Sequence, residues 1–479
     1  MEIRSKTVNH SIFLLTTAIF AGLLLPFLVM DGMFLDGITY SAIANNMARG
    51  FGSFWHPHYT QTLYPDFHEQ PSLALGIQAL FFKVIGESIY VERFYSLLTA
   101  VLSAYGITCC WKLFTENEDG NIRLMYWLPI CLWILTPLVF WSHQNNLLEN
   151  TMGVFTIFSA FLYANAYLKD KLLLLIPASL CVVMAFFTKG FAGLFPLITP
   201  ALLVLCFRQH KWKKAARFMI IAAIIPLCIF SLILLIFSSG IDHLEAYFHT
   251  HVIPALKNER EITTDHRLQI IGSLLMELTL PLTLLLVILP FRRPLKSHFQ
   301  TSITRKGLFF LFIGMAASLP LMISLKQRTF YLGPSIPFYI LAVCTIIAPV
   351  IAGPVNQLRP LIQKRIRSAA LVLWLAVILT SFYNIGRYSR DKQKLEDIHK
   401  IITEIPPGTI IGTTSDISTN WSTVAYFSRL GHLSLDADHI HPYLLTLTGA
   451  PLRENHAGEY IELELGLQMF RLMKQSNGD

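Results

Sequence analysis

Three acidic residues stand where a carboxylate could act as a general base beside a membrane. Asp36 and Tyr40 are four residues apart and would share one face of a helix. Glu69 precedes one apolar run, and Glu149 lies at the mouth of another. A carboxylate in such a place can accept a proton from a hydroxyl or amine. The simpler interpretation of each one is a capping or solvated charge at a helix end.

Basic residues next to apolar runs form a second set. Lys189 lies between two apolar runs in FFTKGFAGLFP, and Lys326 and Arg328 precede Tyr331 in SLKQRTFYLGPSIP. A cation at such a position needs an anionic partner, and an arginine can grip a phosphate with two hydrogen bonds. The alternative for Lys189 is a side chain that reaches up to the lipid headgroups.

A histidine pair gives a weaker indication of metal chemistry. His249 and His251 are two residues apart on an expected loop, with acidic residues further along the chain. Two histidines and a carboxylate could bind Zn²⁺. Because the chain contains 16 histidines, the spacing also fits solvated loop residues.

The composition places all these residues in a membrane protein. Of 479 residues, 53% are hydrophobic and only 14% are charged, whereas soluble domains carry about 25% charged residues. The mean hydropathy is +0.51. These values exclude a soluble enzyme, a disordered protein and a fibrous repeat. All seven cysteines fall inside apolar runs, so no disulfide framework is expected.

The net charge of +8 reflects topology and not nucleic-acid binding, because the basic excess lies in residues 1–390. Residues 391–479 instead contain 7 Lys and Arg against 12 Asp and Glu. Four basic loops fall on one side, which the positive-inside rule makes cytoplasmic: Lys169–Lys171, Arg208–Arg217, Arg292–Lys306 and Arg359–Arg367.

Twelve apolar runs are visible, and about eleven are expected to cross the bilayer. The run 71–86 is short, begins with proline and contains Gln78 and Lys83, which favours an interfacial or re-entrant helix. The first run is expected to be an uncleaved anchor. The opposite topology, with residues 1–10 outside, stays open. The runs are roughly 11–30, 71–86, 93–114, 123–141, 148–168, 172–188, 191–207, 216–239, 267–290, 307–325, 330–352 and 366–384.

The predicted fold class is an α-helical polytopic membrane protein with a small C-terminal α/β domain. The membrane domain is expected to cover residues 1–385, with 31–92 as a first extracytoplasmic loop that contains interfacial helices. Residues 386–479 form the small domain, for which TIIGTT and HLSLD predict strands and WSTVAYFSRLG predicts a helix ended by Gly431. This domain has no nucleotide-binding motif, so a packing or docking role is favoured.

The order of these motifs resembles one family. D-x-x-x-Y, E-x-P, an acidic residue before a later span, T-K-G-F, a histidine-bearing aromatic loop and a final K-x-x-x-x-Y segment follow one another over about residues 10–350. Together they are similar to the GT-C integral-membrane glycosyltransferases that use polyprenyl-phosphate sugars. The bacterial aminoarabinose transferases of lipid A are the nearer relatives, and the protein O-mannosyltransferases are more distant.

The resemblance implies a role for each site residue. Asp36 would be the general base or would orient the acceptor, with Tyr40 beside it, and Glu149 stands where the family usually has aspartate. Lys189 would bind the carrier phosphate. Glu69 and His251 match a metal-associated pair, so a divalent ion (Zn²⁺ or Mg²⁺) is a possible cofactor. The last phosphate-side motif would hold Lys326, Arg328 and Tyr331, although KQRTFY departs from K-G-K-x-x-x-Y.

The implied function is inverting transfer of a glycosyl group by a single displacement. The donor would be an undecaprenyl-phosphate sugar, and the acceptor a lipid A-like glycolipid, another glycolipid, an O-antigen or capsule unit, or a protein. The reaction would take place on the periplasmic face of a bacterial cytoplasmic membrane. Two alternatives stay open, a transporter or flippase of lipid-linked glycans and a non-catalytic membrane scaffold. No nucleic-acid partner is expected.

Overall fold

The computed structural model describes residues 2–207, 212–257, 259, 261–291, 297–450 and 460–476, so residues 208–211 and 292–296 of two basic loops lie outside the described part. Its helices are α1 (Glu2–Leu28), α2 (Leu35–Ala48), α3 (Leu73–Ile85), α4 (Tyr90–Phe114), α5 (Gly120–Arg123), α6 (Trp127–Ile134), α7 (Pro137–Gln144), α8 (Leu148–Leu168), α9 (Leu175–Lys189), α10 (Thr199–Phe207), α11 (Trp212–Ile236), α12 (Ser239–Tyr247), α13 (Ile253–Lys257), α14 (Gln269–Glu277), α15 (Thr279–Ile288), α16 (Ser297–Ser318), α17 (Ile336–Asn356), α18 (Pro360–Asn384), α19 (Lys392–Glu404), α20 (Ser415–Ser418) and α21 (Trp421–Tyr426).

The multi-pass membrane class is confirmed. In the described part of the chain, eight helical segments are long and apolar enough to cross a membrane, or up to ten if each of two bent helix pairs is one span. The helix α3 has 13 residues and is too short to cross. The eight segments are Ser5–Leu28, Tyr90–Phe114, Leu148–Leu168, Leu172–Phe207, Trp212–Ile236, Ser302–Ile323, Thr329–Asn356 and Pro360–Asn384.

The longest of these segments folds back on itself. Leu172–Phe207 has 36 residues, whereas about 20 suffice for one crossing. The chain turns where α9 ends, at Gly190, and a Cβ on Gly193 would collide with the backbone of Ala185. Eight residues of straight helix would separate these two positions by about 12 Å. The two halves of this segment therefore correspond to the two separate apolar runs of the sequence, 172–188 and 191–207.

The two bent pairs break next to prolines. Between α6 and α7 the axis turns by 75°, and Pro137 is the first residue of α7. Between α14 and α15 it turns by 61°, and Pro281 lies in the first turn of α15. Proline has no backbone N–H and disfavours helix in the residue before it, so it begins a helix more readily than it continues one.

The chain divides into two compact units. The first consists of Met1–Phe27, Glu69–Pro71 and Ser96–Tyr383, and the second of Leu28–His68, Ser72–Tyr95 and Asn384–Asp479. An aromatic cluster in the first unit joins α4, α10 and α16. The ring of Phe114 lies 4.7 Å from Phe310, 5.1 Å from Phe309 and 5.7 Å from Phe207, centroid to centroid, distances at which aromatic pairs attract.

In the second unit, α2 is buried around its whole circumference. Every residue from Gly37 to Met47 is buried, and two of the polar side chains of α2 bond to backbone carbonyls. Ser41 donates to the Gly37 carbonyl at 2.8 Å, and the Asn46 amide donates to the Tyr59 carbonyl at 2.7 Å. Such bonds offset the cost of removing polar groups from water.

The small C-terminal sheet expected from the sequence is present and has five strands. They are β1 (Ile410–Thr413), β2 (Ser434–Asp436), β3 (Tyr443–Leu447), β4 (Tyr460–Glu462) and β5 (Phe470–Gln475), in the order β2-β1-β3-β5-β4. β1 runs parallel to both β2 and β3, with Gly412 opposite Leu444, whereas β5 runs antiparallel to β3 and β4. The predicted strands at TIIGTT and HLSLD and the helix that begins at Trp421 are all found.

A buried ion pair joins two distant parts of the second unit. The Nε and Nη2 atoms of Arg429 donate to the two carboxylate oxygens of Glu92 at 3.2 and 2.9 Å, and the side chains are 2% and 3% exposed. Nη2 also donates to the Ser88 carbonyl at 2.9 Å, and the guanidinium lies 4.7 Å from the centre of the Phe82 ring. The planar fork of arginine makes this two-point bond possible.

Replacing Arg429 with methionine is therefore expected to destabilise the second unit by about 3–5 kcal/mol, because Glu92 would remain buried without its partner. The melting temperature of the detergent-solubilised protein, followed by tryptophan fluorescence, measures this loss. Arg390→Met is the matched control, since the Arg390 side chain is 43% exposed. Equal melting temperatures for the two variants would contradict the assigned role of the buried pair.

Candidate active site

The first unit contains a cavity of about 490 Å³ that collects six of the nine predicted site residues. This volume lies in the range of small-molecule sites. One wall is apolar and includes Phe191, Ala316, Pro320, Leu321 and Ile323. The six predicted residues on the cavity surface are Glu69, Glu149, Lys189, His251, Lys326 and Tyr331.

The best-defined feature of the cavity is an ion pair between Lys189 and Glu149. The ammonium of Lys189 donates to Oε1 of Glu149, and the two side chains are 11% and 1% exposed. Glu149 lies in the first turn of α8 and Lys189 in the last turn of α9. Each charge is therefore favoured by the dipole of its own helix.

The pairing of α8 with α9 explains why residues forty positions apart meet. The hydroxyl of Ser159 donates to the Ala178 carbonyl at 3.0 Å, and the hydroxyls of Tyr163 and Ser179 are 3.1 Å apart. Only six residues separate Leu168 at the end of α8 from Leu175 at the start of α9, so these bonds join two helices that fold back on each other as an antiparallel pair. The start of α8 and the end of α9 consequently lie at the same end of the bundle, which brings Glu149 to Lys189.

Two aromatic rings complete the surroundings of Lys189. Its ammonium lies 4.8 Å from the centre of the Tyr331 ring and 5.8 Å from that of Phe330. Both rings belong to the 3₁₀ segment Thr329–Ser335. A cation over an aromatic face is attracted to the negative charge of that face. The segment that follows Arg328 thus helps to fix the position of the Lys189 ammonium.

Gly190 provides the sharp turn that ends α9 beside the cavity. Its φ of 63° and ψ of −140° belong to a region that L side chains avoid. A Cβ at this position would also collide with the hydroxyl of Tyr247, which lines the cavity. The glycine of the T-K-G-F motif is therefore required by backbone geometry and by close packing.

Gly190→Ala is expected to displace the end of α9 or Tyr247 and to lower the melting temperature, with a cost of about 1–3 kcal/mol for the strained backbone. The melting temperature in detergent measures it. Gly272→Ala is the matched control, because a Cβ at Gly272 meets open space. A Gly190→Ala protein as stable as the Gly272→Ala protein would contradict the assigned role of this turn.

The histidine pair lies on a helical segment, so the expected loop is wrong here. Residues Phe248–Val252 form a π-helical turn that continues α12. Neighbours two apart on a helix point to different sides, and only His251 lines the cavity, whereas His249 is exposed. The His251 ring stacks on Tyr247 with centroids 6.1 Å apart and planes inclined by 13°.

Lys326 and Arg328 share one carboxylate. The Lys326 ammonium lies 3.4 Å from Oε2 of Glu261, and Nη2 of Arg328 lies 3.3 Å from Oε1 of the same residue. Lys326 lines the cavity, and Arg328 is not among the lining residues. The side chain of Arg328 is 46% exposed. The structure therefore places Lys326 at the site and Arg328 beside it.

Glu69 and His251 both face the cavity but offer a small donor set for a metal. In the described part of the chain, no third His, Cys, Asp or Glu brings a ligand atom within 4.8 Å of both. Protein sites for Zn²⁺ use three or four such ligands. These residues alone do not make a metal centre, and no chemical step is assigned to a metal there.

Asp36 and Tyr40 belong to the second unit. Asp36 is half-buried in the first turn of α2, and Tyr40 is buried one turn later on the same helix. This placement is consistent with the prediction, made from their spacing, that Asp36 and Tyr40 share one face of a helix.

Comparison with solved structures identifies the architecture. The chain aligns with ArnT from Cupriavidus metallidurans bound to undecaprenyl phosphate at a TM-score of 0.67 and 12% identity, covering 97% of this chain and 98% of that one. The apo form of the same ArnT gives 0.64 and 12% identity over 94% and 95% of the two chains. The chain has the GT-C fold.

This GT-C fold was not recognisable from overall sequence similarity. No protein-family model matches the chain, and no curated protein is significantly similar to it in sequence. An oligosaccharyltransferase of Archaeoglobus fulgidus in complex with Zn and sulfate also aligns, at a TM-score of 0.49 and 12% identity, over 96% of this chain and 72% of that one. The predicted resemblance is confirmed at the level of the fold.

Within the GT-C fold of this chain, Gln327 supports the site but was not among the residues predicted from the sequence. Its amide nitrogen donates to the carbonyls of Arg267 and Ser324 at 2.9 and 3.0 Å, and its amide oxygen accepts from the Ile270 N–H at 2.9 Å. Gln327 is 6% exposed and holds the segment that carries Lys326. The sequence around Gln327 gave no separate signal, because two of its partners are the backbone groups of Arg267 and Ile270, 60 and 57 positions earlier.

Proposed function

We propose that the protein is a membrane glycosyltransferase. It transfers a glycosyl group from an undecaprenyl-phosphate-linked donor to a lipid A-like glycolipid or another acceptor of the cell envelope. The observation that carries this proposal is the cavity, where Lys189 lies over aromatic rings next to an apolar wall. The ArnT structure with the same fold is bound to undecaprenyl phosphate, a lipid that needs both a cation and an apolar surface.

The proposed donor site divides between headgroup and lipid chain. The phosphate would lie near the ammonium groups of Lys189 and Lys326, both of which line the cavity. The first isoprene units would lie along the apolar wall from Ala316 to Ile323. Lysine binds phosphate as a compact charge, and burial of the prenyl chain contributes about 25 cal/mol per Å² of apolar area.

The proposed reaction is a single displacement at the anomeric carbon. An acceptor oxygen or nitrogen attacks this carbon from the face opposite the phosphate, and the bond from the carbon to the phosphate oxygen breaks. The phosphate leaves with the electron pair, and Asp36 accepts the proton of the acceptor, with Tyr40 orienting the substrate. Lys189 and Lys326 stabilise the leaving phosphate electrostatically. Glu149 positions Lys189, and inversion at the anomeric carbon follows from one displacement.

The polarity of α8 supports a periplasmic cavity. Glu149 lies at the first end of this helix, and the basic loop Lys169–Lys171 follows its last residue. Lys169 there pairs with Glu116 at 2.9 Å, and Asp170 pairs with Lys214 at 3.0 Å. Basic loops favour the cytoplasm, so the opposite end of α8, with the cavity, is assigned to the periplasm.

A transporter of lipid-linked glycans is the competing function, and the number of spans favours it. Transporters usually bind substrate near the middle of the bilayer on broken helices. Here the paired charges occupy the first turn of α8 and the last turn of α9. Charges at helix ends support a reaction at the membrane surface.

The test compares a strain that lacks the gene with one that expresses it. Mass spectrometry of lipid A and of the other envelope glycolipids should reveal one species that loses a pentosamine or hexose mass in the deletion strain. The purified protein should then form this species from the matching undecaprenyl-phosphate sugar. A deletion strain that instead accumulates the complete glycolipid on the cytoplasmic side would support the transporter.

A further inference from the structure

The loop between α2 and α3 carries a group of metal-binding side chains. One ligand atom from each of His56, Asp66 and His68 lies within 4.8 Å of the others. Nδ1 of His56 is 3.7 Å from Oδ1 of Asp66, and the two imidazole rings have centroids 6.2 Å apart. It is the one such group of three or more that the described residues contain.

The backbone of this loop explains why the three side chains meet. The Phe67 N–H donates to the Pro57 carbonyl at 2.7 Å, and an antiparallel bridge joins Gly52 to Pro57. The chain around Pro57 therefore lies beside the chain around Phe67. Pro57 and Phe67 are both buried. Their neighbours His56 and Asp66 are exposed and His68 is half-buried, so the flanking side chains are turned away from the core.

The ligand types and exposure suit a transition metal. Two imidazoles and a carboxylate are ligands that Zn²⁺ and similar divalent ions accept, with water in the fourth position. Donor atoms around tetrahedral zinc lie about 3.3 Å apart at its usual bond lengths. The side chains of His56 and Asp66 are 48% and 63% exposed. Packing therefore does not prevent their ligand atoms from moving slightly closer together around an ion.

We propose that His56, Asp66 and His68 form a binding site for a divalent transition-metal ion of the Zn²⁺ class. The ion ties the two parts of the loop around Pro57 and Phe67 together. This site is separate from the Glu69 and His251 pair and does not depend on the proposed transferase activity. It uses only residues of the second unit.

A second group of histidines in the second unit is a weaker candidate. His439 and His441 each bond to the same oxygen of Asp436 at 2.8 Å. Burial raises the pKa of Asp436, but bonds from His441, the Asp438 N–H and His439 outweigh it and bring the pKa to about 2. The histidines there satisfy one carboxylate oxygen and already stabilise its charge.

The experiment is a titration of the full-length protein with Zn²⁺. The protein is purified in detergent through a tag without histidine and stripped with a chelator, and Zn²⁺ binding is measured by calorimetry. Co²⁺ replaces Zn²⁺ for absorption spectra, which report nitrogen and oxygen ligands. Because the loss of outer-sphere partners alone weakens binding 10- to 100-fold, His68→Ala and His56→Ala should each raise the Kd at least about 100-fold.

Three matched variants make the result decisive. His58→Asn keeps the hydrogen bond that Nδ1 of His58 makes with the Pro65 carbonyl at 2.9 Å, and it should bind Zn²⁺ like the unmodified protein. His251→Ala and His441→Ala should do the same. Loss of binding in His251→Ala or His441→Ala with retention in His68→Ala would overturn the proposal, as would no binding by the unmodified protein.

Discussion

Lys189→Met is expected to lower the rate of glycosyl transfer by about 10²- to 10³-fold, the usual effect of removing one preorganised electrostatic donor from a reacting anion. The Lys189 side chain is 11% exposed, and its ammonium is held by Glu149 and by the Tyr331 ring. Methionine fills a similar volume without charge, so the leaving phosphate would lose its closest buried cation. The initial rate of acceptor modification by purified protein measures this effect.

Stability must be separated from catalysis in this variant, because Lys189→Met leaves Glu149 buried without its partner, at a cost of several kcal/mol. The double variant Lys189→Met with Glu149→Gln removes both charges and should recover most of the melting temperature while remaining inactive. Lys83→Met at an exposed position is the matched control and should behave like the unmodified protein. Recovery of activity in the double variant would show that Lys189 does not act on the phosphate.

Asp36→Asn is expected to lower the rate by about 10²- to 10⁴-fold, the range that a general base contributes. The amide has nearly the shape of the carboxylate but cannot accept a proton at neutral pH. Asp36 is half-buried in the first turn of α2, so the fold should tolerate the change, and the variant should insert into the membrane normally. Initial rates from pH 4 to 8 measure both the loss and its pH dependence.

The matched control for Asp36→Asn is Asp242→Asn. Asp242 is an exposed acid in the first turn of α12, so both changes remove one favourable charge at a helix N-terminus. Similar rates for the two variants would take Asp36 out of the mechanism. A loss confined to Asp36→Asn, with unchanged melting temperature, would support the role of a base.

The sequence was sufficient for the membrane class, and it singled out six of the residues that line the cavity. Lys189 and Glu149 could be singled out because a charge beside an apolar run is costly and therefore conspicuous. Their pairing could not be predicted, since it depends on the antiparallel packing of α8 on α9. Gly190 was part of a recognised motif. The reason for a glycine at this position is the close contact with Tyr247, fifty-seven residues further along the chain, and that contact forms only when the helices pack together.

Other structural features could not be predicted, because no local pattern in the sequence indicates them. Arg429 looks like an ordinary helix cation in the sequence, yet it binds Glu92, 337 positions earlier. The strands β4 and β5 carry mixed residues without strict alternation, and β5 pairs with β3 across a long connection. The π-helical turn at Phe248–Val252, which was expected to be a loop, continues α12 locally. Long-range pairing decided the cases of Arg429 and of β5.

The carboxylate of Glu149 gives the resting cavity an internal counter-ion. An incoming anion must compete for Lys189 with a neighbour that is already desolvated and in place, so a small ion such as inorganic phosphate has little to gain there. A ligand with a long hydrocarbon tail brings additional free energy from the apolar wall. If the cavity binds the donor as proposed, this neutral resting state would select phosphates according to the group they are attached to.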